Sequence, residues 1–141
     1  MPSKYSSTHS ISDAKELAEN LGIGYEIIEI GGVVSSFQSA IELSGLAEEN
    51  IQARVRGSLL MGLSNQRGHL ILATGNKSEL AVGYSTLYGD AVGGFAPIKD
   101  IFKVDIWRLA PGLAIAPSSK APDIYFKDIF YRSKAAYRIA I

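Results

Sequence analysis

The side chains best suited to chemistry gather in ATGNKSELAVGYSTLYGD, residues 73–90. Thr74-Gly75-Asn76-Lys77-Ser78-Glu79 follows a short apolar run, HLILA at residues 69–73. This pattern predicts a strand, a small polar turn and the first turn of a helix. In open α/β folds such a junction lies at the C-terminal edge of the sheet, where nucleotides bind. Gly75 lets a phosphate or ribose approach the backbone. Thr74 offers a hydroxyl donor, and Glu79 a carboxylate for a magnesium ion or a ligand hydroxyl. The same letters also describe an ordinary capped connection, because short motifs match by chance.

A second group is Asn50-Ile51-Gln52-Ala53-Arg54-Val55-Arg56. Asn50, Arg54 and Gly57 recur at helical spacing and share one face. An arginine fork on that face suits a phosphate or carboxylate, because it donates two bonds at once. The alternative is a solvated helix surface. Arg56 points elsewhere and reads as structural. Thr86-Leu87-Tyr88-Gly89-Asp90 and Gly93-Gly94-Phe95-Ala96-Pro97 form a glycine-rich stretch resembling an active-site loop. Lys99 and Lys103 follow it. A lysine near a pyrophosphate leaving group would stabilise developing charge, and the alternative is a plain surface lysine. His69 reads as structural. Tyr5, Ser6 and Ser7 are further nucleotide contacts or simply a serine-rich turn.

The elements that must position these groups follow from apolar spacing. Asp13 and Glu16 form a capping-box pair for a helix ending at Gly22. Residues 25–30 (YEIIEI) read as a strand ended by Gly31-Gly32. Residues 34–43 and 51–63 read as helices, the second with Ile51, Val55, Leu59 and Leu63 on one face. A strand at 70–73, a helix start at 78–84 and a helix at 100–110 complete the order. This alternation suits a parallel sheet with helices on both faces, an α/β architecture of three layers.

Composition removes several classes of function. The chain has 141 residues, no net formal charge and no cysteine, so disulfides, zinc–thiolate sites and thiol catalysis are excluded. Two histidines do not favour a multi-histidine metal site. No global basic excess points to nucleic acid. No apolar run is long enough for a membrane span, and the N-terminus lacks a signal-peptide core. A cytoplasmic location is expected. Residues 111–141 carry a net charge of +3, leaving −3 for residues 1–110. That shift marks a composition boundary near Ala110. The aromatic residues Tyr125, Phe126, Phe130, Tyr131 and Tyr137 beyond it read as packing or a loose end, with base stacking the lesser alternative.

Residues 1–110 resemble the synthetase domain of NAD synthetase, an ATP-dependent ligase that amidates deamido-NAD. The segments MPSKYSSTHSISDAKELAENLGI and ENIQARVRGSLLMGLSNQRGHLILATGNKSELAVGYSTLYGDAVGGFAPIKDIFK carry the likeness. The STLYGD…GGFAPIKD form is closest to the glutamine-dependent members. A run of this length is specific where each piece is not. The resemblance implies an adenine nucleotide α-hydrolase-like fold, here incomplete. It also implies ATP and Mg2+ as cofactors, deamido-NAD as substrate and a homodimer, with no nucleic acid and no membrane partner. Asn50 and Arg54 would contact deamido-NAD. Thr74 and Lys103 would contact ATP. Glu79 matches a position used for the dinucleotide in long members and for magnesium in short ones. The short members' lysine is Leu87 here, so no role transfers to that position.

The likeness also has gaps. The family's SGGxDS loop, which cradles the ATP phosphates, is not found in these 141 residues. It belongs just upstream of Met1, together with the first strand and helix. A glutaminase domain is not found either. The 111–141 segment departs from the family pattern. The chain is therefore expected to be an inactive piece of a synthetase that forms no NAD by itself. The alternative is a non-catalytic dinucleotide-binding or dimerisation module. For either, the Thr74 turn and the Asn50/Arg54 face are expected to meet at a shared cleft.

Overall fold

A computed structural model describes residues 1–109. The 111–141 tail, its aromatic residues and the boundary near Ala110 lie outside the described residues. Helix α1 (Thr8–Leu21) starts earlier than the expected Asp13. Ser7 supplies the cap instead, its side chain accepting from Ser10 N at 3.2 Å. Serine and aspartate cap about equally well, so the upstream hydroxyl extends the helix. Ala14 and Ala18 form its buried face, and Gly22 ends it as predicted, at φ 64°.

Helix α2 (Gly31–Ala40) begins where the sequence suggested a strand end. Helix α3 (Leu46–Arg67) has 22 residues, against the expected 51–63. It is about 33 Å long at 1.5 Å per residue. Glu48 and Glu49 in its first turn and Arg67 in its last suit the helix dipole, which explains the added length. Helices α2 and α3 pack together. Ile30, Val34 and Val55 form the core there, flanked by Met1, Ile51 and Leu59. The predicted apolar face of α3 is thus the one that packs. Arg56 is buried, and its Nε donates to the Met1 carbonyl at 2.8 Å, in keeping with a structural role.

The expected strands are nearly absent among the described residues. One isolated parallel bridge joins Leu72 and Phe95. Around it Ala73 N donates to Phe95 O at 2.8 Å and Gly94 N to Ile71 O at 2.9 Å. Gly93 permits this pairing, because a Cβ there would lie 2.5 Å from Ala73 N. Residues 25–30 form no ladder. They are anchored at their ends instead, by a two-bond Arg67–Glu26 ion pair at 2.6 and 3.1 Å and by Ile30 N donating to Pro2 O. A strand requires a neighbour to satisfy its backbone groups. None of the described residues supplies one, and Ile23, Tyr25 and Ile27 remain exposed.

Two short helices complete the described chain: α4 (Lys77–Ala81), shorter than expected, and α5 (Lys103–Leu109), which starts three residues later than expected. No described helix is long and apolar enough to cross a membrane.

Candidate functional site

The predicted α3 face is a docking surface for the loop that follows α4. Thr86 Oγ1 donates to Asn50 Oδ1 at 2.9 Å. Arg54 Nε donates to Leu87 O at 3.2 Å. Next along the face, a Cβ on Gly57 would lie 2.9 Å from Tyr88 O and 3.1 Å from Gly89 O. A Cβ on Gly89 would in turn lie 2.9 Å from Ala53 Cβ. Asn50, Arg54 and Gly57 therefore do share one face, as their spacing requires. Two polar anchors fix the loop, and two glycines let helix and loop touch through backbone. Thr86 N also donates to Asp90 Oδ1 at 2.5 Å, which closes the loop on itself.

What these bonds leave over matters for chemistry. Asn50 is half-buried and Arg54 exposed. Neither Asn50 Nδ2 nor the Arg54 Nη atoms make a hydrogen bond among the described residues. The face therefore offers donors to an acceptor-rich ligand, and a guanidinium supplies positive charge.

The turn after the bridge is tightly built. Thr74 is buried, and Asn76 is fully buried as the cap of α4. Asn76 Oδ1 accepts from Glu79 N, and Glu79 Oε2 accepts from Asn76 N, each at 3.1 Å. This is a reciprocal capping box. Glu79 thus has a structural duty that its letter alone did not reveal. Its Oε1 makes no hydrogen bond among the described residues. Asn76 Nδ2 is buried with no hydrogen-bond partner there.

The same turn is tied to the start of α5. Lys77 N donates to Ile101 O at 3.0 Å, and Lys103 N to Ser78 Oγ at 3.1 Å. Lys77 Nζ lies 4.6 Å from the Phe102 ring centroid, within cation–π range. Glu79 and Lys103 therefore lie at one bonded junction, and Thr74 is buried two residues before its cap, Asn76. Asn50 and Arg54 belong to another. A single segment joins the two: its residues 86–89 sit on α3, and its residues 93–95 pair with 71–73.

Glu48 is a separate electrostatic hub. Its Oε1 accepts from Tyr5 Oη at 2.8 Å and Gln38 Nε2 at 3.0 Å, with Lys4 Nζ at 3.5 Å. The Tyr5 hydroxyl first, then Lys4 and Gln38, hold this carboxyl below its ordinary range. Tyr5, Ser6 and Ser7 all have partners within the chain: Glu48, Ser3 and Ser10. His69 bonds through its backbone to Ser64 at the end of α3. Lys99 pairs with Asp100 at 2.6 Å.

Sequence reasoning named Thr86 and Asn76 without giving either a role of its own. The capping box was legible in the N-x-x-E spacing of residues 76–79. The Thr86–Asn50 bond, across 36 positions, had no local signal.

Residues 1–125 match the family described as NAD synthase. A glutamine-dependent NAD(+) synthetase from Synechocystis sp. is 53% identical over 115 residues, covering 77% of this chain and 21% of the relative. The structure of a glutamine-dependent NAD+ synthetase from Acinetobacter baumannii, in complex with adenosine diphosphate, is similar at TM-score 0.79 and 44% identity. That match covers 93% of this chain and 28% of the other. An NH3-dependent NAD synthetase from Campylobacter jejuni gives TM-score 0.76 at 38% identity, over 82% of this chain and 51% of that one. The chain spans about a fifth of the length of the curated relatives it matches.

Proposed function

This chain belongs to the NAD synthase family, and on that premise we propose that it forms part of the half-site where such a ligase holds deamido-NAD and ATP. Asn50 and Arg54 contact deamido-NAD. Thr74 and Lys103 contact ATP. The observation that carries this reading is the α3 face, whose Asn50 and Arg54 are held by a loop yet keep donors to spare.

The reaction proposed for the whole enzyme has two steps. An oxygen of the nicotinate carboxylate attacks the α-phosphorus of ATP, and pyrophosphate leaves. Ammonia then attacks the carbonyl carbon, loses a proton and displaces AMP. Catalysis by positioning and charge stabilisation suits the groups on this chain. Asn50 and Arg54 orient the dinucleotide. Lys103 offsets phosphate charge. Glu79 serves the dinucleotide or the magnesium that accompanies ATP. Its Oε1 fits that use, because magnesium typically takes one or two carboxylates and completes its shell with water and phosphate. Bound there, magnesium would neutralise phosphate charge.

The sheet is part of the same proposal. Residues 25–30 and 70–73 become parallel strands in the complete α/β domain, with helices on both faces. The exposed Ile23, Tyr25 and Ile27 support this, as side chains awaiting cover. We assign residues 1–110 to that domain, and the family match runs on to residue 125. We assign the enzyme to a homodimer in the cytoplasm.

Calorimetry with deamido-NAD tests the site. The chain should bind it, and Arg54→Ala should remove binding while leaving the circular dichroism spectrum unchanged. Equal binding by both proteins would overturn the assignment.

A further inference from the structure

Thr86 does more than close a loop. Its backbone N–H is held by Asp90 Oδ1 at 2.5 Å, so its hydroxyl is delivered from a fixed turn. That hydroxyl donates to Asn50 Oδ1 at 2.9 Å. An asparagine amide has an acceptor end and a donor end, and the two can exchange by rotation. With Oδ1 engaged by Thr86, the Nδ2 hydrogens are the end left for a ligand. One helical turn on, Arg54 anchors through Nε to Leu87 O at 3.2 Å, and a guanidinium has no acceptor at all. The loop thus turns a mixed pair of side chains into a donor-only face.

We propose that Thr86 is a specificity-determining positioning residue: by fixing the Asn50 amide, it makes the Asn50/Arg54 face accept a carboxylate and reject a carboxamide. The inference rests on the assignment of these two residues to deamido-NAD, and takes its nicotinate carboxylate as the group that meets them. Amidation changes one group of that dinucleotide, from an acceptor-only carboxylate to an amide bearing two N–H donors. A donor-only face distinguishes the two, because amide N–H groups turned toward it stay unpaired. Substrate is retained and product is released by the same pair. Without Thr86 the Asn50 amide can rotate, offer Oδ1 to the product and lose the distinction.

The test is calorimetry of the 141-residue chain with deamido-NAD and with NAD. The unaltered protein should prefer deamido-NAD. Thr86→Val should shrink that preference about tenfold, the effect of one hydrogen bond, and Thr86→Ser should restore it. Asn50→Asp provides an independent arm, since Thr86 would hold one carboxylate oxygen and the other would face the ligand as an acceptor. Its preference should fall or reverse. If Thr86→Val and Asn50→Asp weaken both dinucleotides equally, or leave the preference intact, the role of Thr86 is overturned while the Asn50/Arg54 site stands. If the unaltered chain binds neither dinucleotide, the site assignment itself fails and this inference falls with it.

Discussion

Arg54 Nε donates to the carbonyl oxygen of Leu87 at 3.2 Å, so a helix side chain grips a loop 33 positions away by its backbone. The guanidinium therefore has two tasks, anchoring and ligand contact. A lysine gathers its donors on one nitrogen and cannot reproduce the planar fork that reaches both. Arg54→Lys should weaken deamido-NAD binding about tenfold despite keeping the charge. Hydrogen exchange should also quicken at the Gly89 amide, which bonds to Thr86 O at 2.9 Å. A lysine variant that binds normally and protects that amide equally would show that the guanidinium shape is irrelevant.

Two glycines of α3 should respond in opposite directions. At Gly57 a new Cβ would meet Tyr88 O at 2.9 Å and Gly89 O at 3.1 Å, both backbone atoms that yield poorly. Gly57→Ala should cost about 1–3 kcal/mol through overpacking and should push the loop off the helix. At Gly62 nothing lies within 4 Å of the added atom. Gly62→Ala should instead stabilise by about 0.5–1 kcal/mol through helix propensity. Urea unfolding of the two variants, side by side, measures the contrast.

Glu79 can be divided into its two roles. Glutamine preserves a capping box and alanine does not. Glu79→Gln should keep the stability of the parent protein and lose affinity for deamido-NAD. Glu79→Ala and Asn76→Ala should each lose about 1 kcal/mol of stability, the typical worth of such a cap. If Glu79→Gln binds the dinucleotide as well as the parent does, the carboxylate is only a cap.

Acid should loosen the molecule through Glu26 and Glu48. Arg67 lowers the first carboxyl, and Tyr5 leads the groups that lower the second. A carboxyl lowered in the folded state binds fewer protons there than in the unfolded chain. Its stabilisation is present above the ordinary glutamate value of 4.5 and is lost as pH falls through the folded value. Glu26 is half-exposed and Glu48 partly exposed, so solvent screens both and the effect is small. Melting temperature followed downward from pH 5 should fall less steeply in Glu26→Gln and Glu48→Gln than in the parent. Identical acid slopes would dismiss both carboxyls as contributors.

Local chemistry was the legible part of this sequence. The Gly22 stop, the α3 stripe of Ile51, Val55 and Leu59, and the shared face of Asn50, Arg54 and Gly57 each follow from spacing a few residues long. Helix starts were read less well, because α1 uses Ser7 where Asp13 was an equally good cap, and α3 gains a turn from Glu48 and Glu49. Strands were read least well. A β-prone run such as residues 25–30 states a preference, but pairing depends on a neighbour that the run does not encode. The Thr86–Asn50 bond lay hidden for the same reason, since its partners are 36 positions apart.

The Leu87 contact has an evolutionary corollary. Since α3 holds this position by its carbonyl oxygen, the side chain, 65% exposed, is spared from docking. Mutational drift at that codon is cheap for the fold. Selection can exchange leucine for a basic, polar or bulky residue and retune the surface beside the Asn50/Arg54 face, without renegotiating how loop and helix meet.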